Sequence, residues 1–384
     1  MRTIKDINVS NKRVLVRVDF NVPQKDNGEV SNNFRIRSSL STINYLLEKK
    51  AKVILISHLG RPKNKESKFS LKPVAKELEK LLRKKVLFLS DCAGKQVEDT
   101  VKSMKSGEVV LLENLRYYKG EKGNDLDFAK ELAKLGEIYV NDAFSVAHRE
   151  HTSVVQLPVL IHSAAGLSFK KEVDVLSKVT QDPERPLVFI VGGKKSAKIE
   201  AIPKLANMSD HLLLNGYLAQ SILIAKDILL GKPGPEEEII KAVNQINLTD
   251  KGIHLPKDVL FSLENDWSYK RVAALGTIRK EESVYDIGID AIEEFSKIIK
   301  KAKTIVWAGP MGFFEEDRFN QGTREIGESI ISNKESLNIA GGGDTIAAVN
   351  KFEWSVGFDH ISTGGSSLLQ FLCGEILPGI EILE

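Results

Sequence analysis

Cysteine is scarce in this 384-residue chain: Cys92 and Cys373 lie far apart, and neither belongs to a CxxC pair. A disulfide scaffold and a cysteine zinc site are therefore unsupported, and two inert thiols in a reducing compartment fit better. No run of 18 apolar residues occurs, and the N-terminal MRTIKDINVS has no apolar stretch behind it. Neither a membrane span nor a cleaved signal is expected, and the chain reads as cytoplasmic. A surplus of one charge is also missing, with 55 Lys and Arg against 52 Asp and Glu, a net +3. A nucleic-acid surface would carry a stronger basic bias, so any anion must be met by local clusters. No GxGxxG follows the first strand candidate and no GxxxxGK[ST] is present. The dinucleotide fingerprint and the P-loop are both excluded.

What is present is an alternation of short apolar runs with amphipathic stretches. Hydrophobic residues make up 42% of the chain, enough for more than one core, and its length suggests two domains. Val14–Val18, Val53–Ile56, Val86–Leu89, Val109–Leu112 and Ile138–Val140 read as buried parallel strands. Leu40–Leu47, Pro73–Leu82 and Phe128–Leu135 read as the helices between them. A second set of strands follows at Leu187–Val191, His211–Leu214, Val259–Leu263, Thr304–Val306 and Leu337–Ala340. Strand alternating with helix predicts an α/β fold of two Rossmann-like domains, each a parallel sheet flanked by helices. A helix at about Ser168–Val179 lies between the sets, and Gln181–Pro186, with two prolines, ends it. The expected domains are 1–167, a linking helix and hinge at 168–185, and 186–370. Gly231–Glu238 reads as a surface loop.

Open parallel sheets bind ligands at the carboxyl ends of their strands. In the first half those positions are polar and mostly cationic: Asp19 and Asn21, then Arg35, then His58 and Arg61, then Arg116, then His148, Arg149 and His151. Several arginines on one sheet edge repel unless a multiply charged anion binds there. Guanidinium forks match phosphate and carboxylate oxygens, so the expected ligand is a small phosphorylated, hydroxylated acid. The second half instead carries glycine turns before helices: FIVGGKKSAKI, with Gly193; NIAGGGDTIAAV, with Asp344 and Thr345; and HISTGGSSLLQFL. Glycines let backbone amides approach phosphate. Lys198 is suited to neutralising a transferring group, and Asp344 to holding Mg²⁺ against nucleotide phosphates.

RVDFNVP, SHLGRP, LLENLR, VNDAFSVAHR, AKTIVWAGPMG, GGGDT, HISTGG and LPGIEIL occur in that order. In this the chain resembles the phosphoglycerate kinases, from about residue 13 to 382. The resemblance implies reversible phosphoryl transfer between 1,3-bisphosphoglycerate and ADP, giving 3-phosphoglycerate and ATP, in a monomer that closes about a hinge. It implies that Asp19, Asn21, Arg35, His58, Arg61, Arg116 and Arg149 bind phosphoglycerate, and that Arg35 bridges to the transferred group. It implies that Lys198 accompanies that group, with Lys195 a second lysine of the same loop. Glu315 would hold the ribose, while Gly342, Gly343, Asp344 and Thr345 would form the phosphate and magnesium site. Gly364 and Gly365 would bring amides near the transferring phosphoryl. Residues 371–384 would return to the first domain.

The departures from the family pattern lie in the nucleotide half. The loop GGKKSAKI is one residue shorter than usual, LNGYLA replaces a glycine-rich segment, Ala308 stands in the usual WNGP, Ser366 stands at a common glycine, and Ile289 replaces a proline. A binding protein of the same fold with weakened transfer is the alternative, and a coupled assay separates the two.

Overall fold

Val14, Val16 and Val18 pack into one apolar cluster, while Leu15 between them packs into another. Alternate residues are thus buried on opposite faces, as in a parallel sheet covered on both sides. The computed structural model describes residues 1–193, 196–228, 237–247 and 252–384. Lys195 and most of the segment 231–238 lie outside them. The chain divides into two compact units, Met1–Asp174 with Ile376–Glu384, and Val175–Glu375.

In the first unit, β1 (Arg13–Arg17), β2 (Lys52–Ile56), β3 (Val86–Phe88), β4 (Val109–Leu111), β5 (Ile138–Asn141) and β6 (His162–Ala165) form a parallel sheet. Its order is β3-β4-β2-β1-β5-β6. The chain leaves β1 toward β2 and leaves β5 toward β6, on the other side. The switch point is therefore between β1 and β5, where a crevice opens at the carboxyl ends. Helices Leu40–Glu48, Lys72–Leu82 and Leu126–Ala133 match the amphipathic stretches.

The second unit contains β7 (Leu187–Val191), β8 (His211–Leu214), β9 (Ile253–His254), β10 (Asp258–Leu263), β11 (Arg271–Ala274), β12 (Glu282–Ile287), β13 (Thr304–Ala308), β14 (Leu337–Gly341) and β15 (His360–Ser362). Six of them make a sheet in the order β15-β14-β13-β7-β8-β9, with every pair parallel. Its switch point lies between β7 and β13. The other three make a small antiparallel sheet, β11-β10-β12. The run Val259–Leu263, expected in the parallel sheet, is instead the centre of this one. An apolar run does not specify its partners' direction, and the short links to β11 and β12 suit antiparallel pairing.

Helix Leu167–Gln181 extends beyond Ser168–Val179 at both ends. Its start is fixed by Asp142 at the end of β5, whose Oδ1 accepts from Ser168 N at 3.0 Å and Phe169 N at 3.2 Å. The chain passes into the second unit along this helix and returns after Glu375.

Candidate active site

Asp19, just past β1, is buried. Its carboxylate accepts from Arg35, from Ser145 and, at 3.0 Å, from Asn21 N. Ser145 comes from the segment after β5, so one carboxylate spans the switch point. Asn21 Oδ1 accepts from Gly60 N at 2.8 Å, and Arg116 Nη1 donates to Gly60 O at 2.6 Å. Gly60 takes φ +62°, a conformation glycine adopts without strain. Gly60, two residues past His58, is thereby held at both its N–H and its C=O. Asn114, buried after β4, ties the same loops together: it accepts from Leu59 N and donates to Leu59 O and Phe69 O.

Arg17, the last residue of β1, is fully buried. It donates to Ser153 Oγ at 3.0 Å, to Val18 O at 2.5 Å and to His58 Nδ1 at 3.0 Å. Ser153 in turn donates to Glu121 Oε1 at 2.7 Å, so a buried carboxylate balances the buried guanidinium. A guanidinium only donates, so His58 Nδ1 accepts and the neutral ring carries its proton on Nε2. Burial, then Arg17, Arg116, Arg35 and Arg149, hold His58 well below the ordinary histidine range. Burial and Arg149 lower His148 to about 4. Burial, Arg116, Arg17 and Arg149 lower His151 to about 3. Burial, Arg17 and Arg149 bring Arg116 down to about 10. Arg149 is lowered by burial, then by Arg61 and Arg17. Mutual repulsion of this kind places Arg17, Arg35, Arg61, Arg116 and Arg149 in one positive field. An anion with several charges relieves it.

In the second unit, the ends of β7 and β13 approach so closely that only glycine fits. A Cβ on Gly192 would lie 2.3 Å from Pro310 O, and one on Gly309 2.2 Å from Gly192 O. The Lys198 ammonium, buried, bridges this switch point by donating to Gly192 O and, at 2.8 Å, to Ala308 O. A Cβ on Gly193 would meet Lys198 Nζ at 3.1 Å and Asp344 Oδ2 at 3.8 Å. Lys198 and Asp344 therefore flank the same glycine.

Gly342, at φ +94°, precedes helix Gly343–Lys351, and Asp344 lies in its first turn. Thr345 is buried, and its Oγ1 has no hydrogen-bond partner among the described residues. Gly343 and Gly365 face open space. Gly364 N donates to Ser362 Oγ at 3.0 Å. A cleft of about 1040 Å³ is lined by Gly193, Asp344 and Glu315 and by the aromatic Tyr217, Trp267, Tyr285 and Phe313. A glycine flanked by Lys198 and a carboxylate, with aromatic side chains in the same lining, suits a ligand with phosphates and a planar ring.

The structure thus links the first-half residues Asp19, Asn21, Arg35, His58, Arg61, Arg116 and Arg149 through shared hydrogen bonds and one positive field. It places Gly193, Glu315 and Asp344 along one cleft, with Lys198 beside Gly193. Arg17, Glu121, Ser145 and Asn114 were not anticipated. The one signal for Arg17 was a charge directly following the apolar run Val14–Val16 in RVLVR.

A profile of the phosphoglycerate kinase family matches residues 4–375. The phosphoglycerate kinase of Dictyoglomus turgidum is 45% identical over 387 residues, covering 99% of this chain and 98% of that protein. That of Coprothermobacter proteolyticus is 42% identical over 389 residues, covering 100% and 98%. Among solved structures, phosphoglycerate kinase from Coxiella burnetii superposes with a TM-score of 0.83 at 37% identity, covering 99% of this chain and 98% of its own. That from Pyrococcus horikoshii OT3 gives 0.89 at 30% identity, covering 100% and 98%. Similarity of this depth spans both chains from end to end, and the chain belongs to the phosphoglycerate kinase family.

Proposed function

We infer that this chain is an active kinase that moves a phosphoryl group reversibly between 1,3-bisphosphoglycerate and ADP, giving 3-phosphoglycerate and ATP. One observation carries the division of labour: guanidinium groups meet at the switch point of the first sheet, whereas glycines, Lys198 and Asp344 meet at that of the second. The first unit then holds phosphoglycerate and the second holds the nucleotide.

In the forward direction a β-phosphate oxygen of ADP attacks the acyl phosphorus. The new P–O bond forms as the bond to the carboxyl oxygen breaks, and the electron pair leaves with the carboxylate. That leaving group needs no proton, so no general acid is required, in keeping with a neutral His58. The work left to the protein is positioning and charge stabilisation. Arg35 supports the transferring oxygens from the acyl side, and Lys198 follows them from the nucleotide side. Arg61, Arg116, Arg149 and His58 hold the phosphate and carboxylate ends, with Asp19 and Asn21 at the hydroxyl. Glu315 takes the ribose, and the amides around Gly342, Gly343, Thr345 and Gly365 face the phosphates.

Among the described residues no cluster of three acidic, histidine or cysteine side chains is present. A single exposed carboxylate, Asp344, fits magnesium, which is commonly held by one or two carboxylates together with substrate phosphates and water. The metal would neutralise phosphate charge there.

Cys92 and Cys373 are both free, which suits a reducing compartment such as the cytoplasm. The test is a coupled assay of phosphoryl transfer run with ADP and with GDP. Turnover with either is expected. A folded protein that binds both ligands and transfers with neither nucleotide removes the reading.

A further inference from the structure

Residues 310–315 form one wall of the nucleotide cleft and belong to no helix or strand. A wall of this kind keeps its shape only if its amides are tied down. Met311 N and Gly312 N both donate to the buried Thr323 Oγ1, at 3.1 and 3.2 Å. Phe313 N donates to Tyr285 O at 2.8 Å. Asp286 stands where these anchors meet. It follows Tyr285 in the chain and is buried. Its Oδ2 accepts from Gly322 N at 2.7 Å, one residue before Thr323, and its Oδ1 accepts from Ile287 N at 2.9 Å.

The carboxylate is also wedged in place. A Cβ on Gly312 would lie 2.2 Å from Asp286 Oδ1, and one on Gly322 2.3 Å from the same oxygen. Asn320, which opens helix Gln321–Ser332, makes no side-chain cap bond. Asp286 therefore supplies from a neighbouring strand the acceptor that the helix start lacks. Burial pushes its carboxyl up to about 7, so an acid is kept here against its own desolvation. Neither the arginine cluster nor the chemistry of transfer uses it.

We propose that Asp286, with Thr323, is a positioning residue for the nucleotide, fixing the wall that carries Phe313 and Glu315. It acts on ADP through Gly322, Gly312 and Thr323 and touches no reacting atom. The proposal rests on the reading of this cleft as the nucleotide site. The arginine cluster belongs to the other unit, so the effect falls on one substrate only.

Two variants test it. Asp286→Asn keeps the size and gives up one acceptor. Thr323→Val keeps the shape and removes the oxygen that takes two amides. Each is expected to raise KM for Mg-ADP, and its Kd by calorimetry, roughly tenfold, the scale of one lost buried hydrogen bond. KM for 1,3-bisphosphoglycerate and kcat at saturation are expected to stay within about twofold, the split that marks lost ground-state binding. If Asp286→Asn fails to fold by circular dichroism, Thr323→Val decides. Wild-type ADP affinity in folded Thr323→Val overturns the proposal, as does an equal rise in both KM values. Failure of the nucleotide reading itself looks different: wild-type protein would give no calorimetric signal with Mg-ADP, and both readings would fall.

Discussion

Arg17 reaches no solvent, yet it decides which nitrogen of His58 carries the proton. Residues that bear on a ligand are thus set by residues behind them. At this scale the sharpest expectations concern charge in the transition state. Arg35→Ala should lower turnover by about 10³–10⁵, the range for an arginine acting on a transferring phosphoryl group. The fold should stay intact, because the side chain is only half-buried and its partner Asp19 keeps Ser145. Steady-state kinetics at saturating substrates check this, and a loss under about tenfold would remove Arg35 from that role. Lys198→Ala should reduce kcat far more than it raises either KM, since a lysine that follows the moving group favours the transition state. A raised KM with unchanged kcat would make it a ground-state contact. Asp19, Asn21, His58 and Arg61 could be placed from the sequence because they follow strand ends that are readable, whereas Arg35 lies in the short helix Phe34–Ser38, well past β1. Arg17 and Glu121 could not be placed. Their pairing runs through Ser153, far from Arg17 in sequence, and no local pattern distinguishes such an arginine from a solvated one.

Among the described residues, three helices are capped from outside by a buried aspartate on a neighbouring strand or its end. Asp142 serves Leu167–Gln181, Asp258 serves Ile289–Ile299 through Ala291 N at 2.8 Å, and Asp286 serves Gln321–Ser332. In each case a glycine, Gly166, Gly288 or Gly322, leaves room for the carboxylate. Asp142→Ala should cost about 1–3 kcal/mol, the range for a lost cap that also leaves buried amides unpaired. Denaturant unfolding measures it. Burial raises the Asp142 carboxyl to about 7, above its ordinary value. The folded state therefore binds a proton that the unfolded chain has released, between about pH 4 and 7. The stability advantage of wild type over Asp142→Asn should shrink as pH rises through that window and stay flat above it. A difference that grows with pH would refute the assignment. Long amphipathic helices and apolar strands were legible at this scale. β6 was missed because HSAA carries little apolar bulk. β11 was missed because RVAA is short and half-exposed, and β12 because the polar residues of ESVYDI leave no continuous apolar run.

For the whole molecule, the proposed division of labour requires that an acyl phosphate held by one unit meet a nucleotide held by the other. Both ligands together should therefore compact the protein more than either alone, by hinge closure that also excludes water. Solution scattering of the apo, singly and doubly liganded protein checks this. One unchanging radius of gyration in an active enzyme would rule closure out. The chain path carries a further consequence. Ile376–Glu384 complete the first unit although Val175–Glu375 come between. There Gly379 N donates to Ala147 O at 2.8 Å, and a Cβ on Gly379 would lie 2.9 Å from both Ala147 Cα and Val154 Cγ1. A ribosome therefore delivers every residue of the second unit before that contact can form. The Ala147 carbonyl, two residues from Arg149, waits through all of that synthesis for its partner. The unit whose translation begins first is the one finished last.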